Sequence, residues 1–200
     1  MEENKITITA EQIQDIIEKS DIDFTDFPIE ISIIPEGGAR RDPDQIINGI
    51  PANKLNVMAA YSGELKLIEI YTEGVQNALD GLCICGTMFP SLIHKPIHRL
   101  VLSAVKHEMR HYYQHKWLED KFGEKDGLEK FAMLAAAPSQ LADLKKTCDT
   151  YGVNIIITQN PIMQDAMDYV LGKVNDLDEI MPKALDYLDK VKYSTLIQSN

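Results

Sequence analysis

Apolar residues recur along this chain in two rhythms, and the change from one to the other divides its 200 residues. Ile13, Ile16 and Ile17 mark one face of a first helix, which begins at Thr9, where Thr9 and Gln12 form a capping-box pattern, and ends near Ser20. Ile29, Ile31 and Ile33 then alternate with Glu30, Ser32 and Ile34, a strand that stops at Pro35-Glu36-Gly37-Gly38. The polar, turn-rich stretch 37–51 reads as a long surface loop. Residues 54–61 and 64–71 flank Ser62-Gly63, a two-residue hairpin signal that predicts a meander. Residues 73–79 suit a short helix. Residues 82–89 alternate as a further strand before Pro90 and Pro96, and the free edge of that strand is a candidate for pairing with an extended peptide.

Beyond Pro96 the rhythm is helical. Pro96 suits the first position of a long helix that runs through Trp117 to about Phe122 and ends at Gly123. Helices follow over 128–137, 139–150, 161–174 and 178–192, separated by Pro138, Gly152, Asn160-Pro161 and Asn175-Asp176. In the second of these, Ser139 is the cap and Leu141, Leu144 and Cys148 face inward; residues 153–157 are too short to classify. The pattern therefore predicts an α+β fold in a single domain, 1–200. An N-terminal helix and a small mixed or antiparallel sheet (1–95) pack on the long helix, and a helical half (96–200) follows.

Charge narrows the choice of partner. A net charge of -11 and a pI near 4.9 repel both a nucleic-acid backbone and an anionic membrane, so neither is expected. No apolar run approaches a membrane span, and the first nine residues lack the basic start and apolar core of a signal peptide. A cytoplasmic protein is expected. Three cysteines, an odd number, fit a reducing compartment rather than a disulfide framework. Cys83 and Cys85, followed by His94 and His98, hold four groups able to ligate a structural zinc. Cys-x-Cys is tighter than most such sites use, and two partly buried strand thiols are the simpler expectation.

The chemistry lies in Val105-Lys106-His107-Glu108-Met109-Arg110-His111. Histidines at i and i+4 stand about one turn apart on one face of a helix, where both imidazoles can converge on one zinc ion. A glutamate directly after the first can reach a water there and take its proton, the role of the general base in metal-assisted hydrolysis. Leu100, Val101, Ala104 and Val105 set this motif on a helix with an apolar stripe. His115 continues the row but lies about 12 Å along the axis from His107, too far for the same ion. A third histidine after a glycine turn is excluded too, because Tyr112-Tyr113-Gln114 fill that interval without a break.

His107-Glu108-Met109-Arg110-His111-Tyr112-Tyr113-Gln114 resembles the motif helix of the small zincin metallopeptidases of bacteria and their phages, a class that includes ImmA/IrrE-type peptidases. In that group a second helix carries a pattern like Asn-Pro-x-Glu-x-Asp-Ala, and this chain has Asn160-Pro161-Ile162-Met163-Gln164-Asp165-Ala166, with Tyr169 one turn beyond. The resemblance covers roughly residues 54–175. It implies a zincin-like fold, a bound Zn2+ and a peptide or protein substrate. It also implies a third zinc ligand at Met163, where the family has glutamate; a thioether is a poor substitute for a carboxylate on zinc.

Asp165 is the nearest carboxylate able to serve instead, with Gln159 and Asp168 behind it. On a regular helix, however, Asp165 points about 200° around the axis from Met163, and as a second-shell acceptor it would orient a histidine rather than touch the metal. Arg110 and Gln114 are candidates for supporting the motif. Tyr113 and Tyr169 are candidate donors to an oxyanion, against core packing with a satisfied hydroxyl. The expected function is a zinc peptidase with His107, His111 and Asp165 on the metal and Glu108 as general base. The alternatives are a binding module of the same fold that has lost its third ligand, and an interaction protein in which the motif is accidental.

Overall fold

The computed structural model describes residues 7–24, 27, 29–35, 46–47, 50–51, 58–84, 96–136 and 160–196. Their order is α1 (Ala10–Glu18), β1 (Glu30–Ile34), β2 (Ile46–Ile47), β3 (Ile50–Pro51), β4 (Ala59–Ser62), β5 (Leu67–Tyr71), α2 (Thr72–Ile84), α3 (Pro96–Phe122), α4 (124–136), α5 (Pro161–Val170) and α6 (Leu177–Leu196). The fold is mixed α+β and mostly helical. The chain forms two compact units, Met1–Gln45 with Ala52–Met109, and Ile46–Pro51 with Arg110–Asn200, and the division falls within α3.

In the first unit α1 starts as its sequence dictates. Thr9 accepts from the Gln12 backbone while the Gln12 side chain accepts from the Thr9 backbone, and Ile13, Ile16 and Ile17 are buried. β4 and β5 form the expected hairpin, but through a four-residue turn, 63–66, with Ser62 opposite Leu67. Lys66 takes a positive φ of 48° at its end. The sheet is not a meander, because β1 lies parallel to β5 and gives the order β1-β5-β4. Placing β5 in the centre explains why four of its five residues are buried while β1 and β4 are only half-buried.

α2 overturns one expectation. It begins directly after β5 and continues to Ile84, so residues 82–84 are helical, not a strand, and Cys83 lies on a helix. Once a first turn has formed, each further residue adds a hydrogen bond at little cost, and a short apolar run obeys either period. The rest of that predicted strand, with Cys85 and His94, lies outside the described residues, as do the segments 139–150 and 153–157.

The second unit contains the two-residue ladder β2-β3, inside the stretch read as loop. α3 opens at Pro96, and Gly123 (φ +86°) closes it with a hydrogen bond to the Glu119 carbonyl. α4 begins at once, earlier than predicted, and a Cβ on Gly127 would lie 2.6 Å from the Glu119 nitrogen, so glycine permits this close return. α5 is capped by Asn160, with Pro161 in its first turn. It ends well before the predicted Val174. Gly172 (φ +82°) allows its own N–H to reach the Tyr169 carbonyl and that of Lys173 to reach Asp168, a Schellman termination. Leu118, Leu134, Ile162, Ala166, Met181, Ala184 and Leu188 are buried in this unit.

Candidate functional site

α3 carries a buried stripe, which begins apolar at Val101, Ala104 and Val105 and then becomes polar while staying buried at Glu108, His111, Gln114 and His115, and Arg110 is buried on another face. Buried polar groups cost free energy unless partners hold them, so the question at each is which partner does.

In the first unit Glu108 is 8% exposed. Its Oε2 accepts a hydrogen bond of 2.8 Å from the backbone N–H of Tyr61. That donor follows from the sheet. Tyr71 N bonds the Met58 carbonyl, so in the antiparallel β4-β5 ladder the alternate residues, Ala59 and Tyr61, turn their backbone groups away from β5. Burial pushes the Glu108 carboxyl up to about 8, against the smaller opposing pull of the Tyr61 N–H. His107 is half-buried on the same helix, and burial lowers its pKa, favouring the neutral, ligating form.

In the second unit Arg110 is 4% exposed and Asp165 1%. Arg110 Nε donates to Asp165 Oδ2 at 2.7 Å and its Nη2 to Oδ1 at 3.1 Å, a two-point pair. Two further donors reach the same carboxylate: Gln114 Nε2 at 2.8 Å and Asn175 Nδ2 at 3.0 Å. Burial alone would raise the Asp165 pKa, but the hydrogen bonds from Arg110, Gln114 and Asn175 and the Arg110 charge outweigh it and hold the group below its usual value. Arg110 Nη2 also donates to the Asn175 carbonyl at 2.6 Å, and its guanidinium lies 5.4 Å from the centre of the Tyr169 ring. Gln114 continues inward. Its Nε2 donates to the Ile162 carbonyl at 2.9 Å and its Oε1 lies 2.7 Å from His111 Nδ1.

The remaining sequence candidates fall elsewhere. Met163 is exposed, 38% of its surface in solvent, while Asp165 is buried, as positions about 200° apart on α5 require. Asp168 accepts from Asn175 and Gln164. Gln159 lies outside the described residues. His115 is buried and stacks on Phe131 with ring centres 5.0 Å apart, 3.6 Å from the Glu119 carboxylate. Tyr113 packs beside Tyr112. His98 is exposed. Sequence reasoning missed Tyr61, which acts through its backbone, and Asn175, read only as a helix break.

The donor set fits a metal in two respects. Two imidazoles lie one turn apart on a continuous helix, and the second has its other ring nitrogen engaged by an amide, as ligating histidines usually do. Among the described residues no third His, Cys, Asp or Glu joins them in a group able to hold an ion, and none of the helices is long and apolar enough to cross a membrane. Compared with known proteins, the chain matches no family model, no curated protein and no solved structure.

Proposed function

We propose that this chain is a zincin-like, zinc-dependent peptidase in which Glu108 is the general base. The observation that carries the reading is the setting of Glu108: a carboxyl buried one residue after His107, held by a single backbone N–H and drawn toward the pKa range useful for moving protons near neutrality. When bound, zinc supplies the Lewis acidity that makes a water acidic and polarises a carbonyl. His107 and His111 would hold it. Glu108 takes the proton from the attacking water and passes it to the leaving amine. The outward backbone of Ala59 on β4 suits an extended peptide, because hydrogen bonds along a strand fix backbone and scissile bond together.

In this reading Asp165 supports the site and is not a ligand, since four donors already saturate its two oxygens. The same fact, with the exposed Met163, favours a second reading, a module of this fold that keeps its binding surface but holds metal weakly. Metal analysis of protein purified without chelator, followed by a peptide-library digest, separates the two. The peptidase binds about one zinc per chain, and Glu108→Gln keeps the zinc while losing cleavage. No zinc in the wild type sinks the peptidase. Met163→Glu raises zinc affinity if the site lacks only its third ligand.

A further inference from the structure

The hydrogen bonds around Gln114 constrain a proton on another residue. The Gln114 amide meets three groups: the Ile162 carbonyl at 2.9 Å, the Asp165 carboxylate at 2.8 Å and His111 Nδ1 at 2.7 Å. The first two can only accept, because a peptide carbonyl has no proton to give and the paired Asp165 is a carboxylate. The amide nitrogen must therefore face them. Turning the amide over would set its oxygen against two other oxygens with no proton between. With Oε1 thus aimed at His111, a 2.7 Å contact between an oxygen acceptor and a ring nitrogen requires the proton to lie on that nitrogen.

We propose that Gln114, oriented by Asp165 and the Ile162 carbonyl, is a positioning residue that locks His111 as the Nδ1–H tautomer and leaves the lone pair on Nε2 for a metal. Arg110 and Asn175 make the direction of this relay irreversible. Between them they give Asp165 three of its four hydrogen bonds, two of them from a guanidinium that never loses its charge, so near neutral pH Asp165 offers Gln114 no proton. This accounts for Arg110, Gln114 and Asp165 as one assembly in the second unit, each buried and each committed to the next. The purpose assigned to the tautomer rests on the zinc reading; the tautomer itself does not.

The test begins on metal-free wild-type protein labelled with 15N. Long-range proton-nitrogen correlation at a pH where the ring is neutral reports which nitrogen of His111 carries the proton, with assignment from the signals that vanish in His111→Gln. Nδ1–H is expected, and Nε2–H overturns the proposal. In Gln114→Leu the ring should become a mixture of tautomers, and zinc chloride titrated against a chromophoric chelator should bind roughly 10–100-fold more weakly. Gln114→Glu still accepts from Nδ1 but sets its second oxygen against the Ile162 carbonyl and the Asp165 carboxylate, so it should keep the Nδ1–H tautomer only with a loss of stability. A folded Gln114→Leu with an unchanged tautomer also overturns the proposal. A wild type that holds Nδ1–H but binds no zinc upholds the relay and defeats the peptidase reading instead.

Discussion

Glu108 and Asp165 are both buried carboxyls, yet their surroundings set them in opposite directions. Glu108, in the first unit, has one neutral donor and its pKa rises to about 8; Asp165, in the second, has four donors, two from a guanidinium, and its pKa falls below the usual value. The desolvation penalty acts the same way on each. Donor count and charge therefore decide whether a buried acid is ready to exchange a proton or is a fixed anion. One such group suits chemistry, the other architecture.

The sharpest way to break this contrast is to remove the cation. Arg110→Met strands the Asp165 charge and should cost about 3–5 kcal/mol in urea denaturation at neutral pH, much of it relieved below pH 4, where the carboxyl protonates. The sign follows from the lowered pKa: the stability Asp165 contributes is present above its ordinary value of 3.8 and is lost as pH falls through the folded value. Next is Glu108, measured on metal-free protein. Its folded pKa of about 8 lies above the ordinary 4.5, so the folded chain keeps a proton the unfolded chain gives up, and stability declines as pH rises between those values. Glu108→Gln should abolish that decline and leave the protein more stable than wild type at pH 8, by on the order of 3 kcal/mol. An unchanged pH profile would show that Glu108 is not desolvated.

Two smaller changes sharpen the comparison. Asn175→Ala deletes one donor from Asp165 while Arg110 and Gln114 stay, and should cost about 2 kcal/mol in the same denaturation assay. Tyr61→Pro removes the single N–H on Glu108 at a position whose backbone faces away from β5, where proline is tolerated. Carboxyl-carbon NMR titration should then place the Glu108 pKa higher still. A fall would mean that the hydrogen bond is not what opposes burial.

Local signals were legible and distant ones were not. The Thr9-Gln12 cap, Pro96 at the start of α3, Gly123 at its end and Asn160-Pro161 before α5 each act within one helical turn, and the structure has all of them. The parallel pairing of β1 with β5 escaped the reading, because it joins strands far apart in sequence and depends on the whole core rather than on either strand. The early end of α5 was legible in principle at Gly172, but the apolar Leu171 and Val174 masked it. At the site, spacing alone identified His107, Glu108 and His111 as a group on one helix. It could not reveal that Glu108 answers to a backbone amide of β4, since any residue at 61 except proline provides that donor.

Asn160 does more than begin α5. Its side-chain oxygen receives the Ile162 N–H while its nitrogen donates to the Leu134 carbonyl at the far end of α4, so one amide fastens two helices. The residue it fastens, Ile162, presents the carbonyl against which Gln114 is oriented. Exchanging nitrogen for oxygen there, as Asn160→Asp does, would keep the helix start but set two oxygens face to face at Leu134. One nitrogen atom in a single side chain thus steadies the scaffold on which a histidine far along the sequence depends.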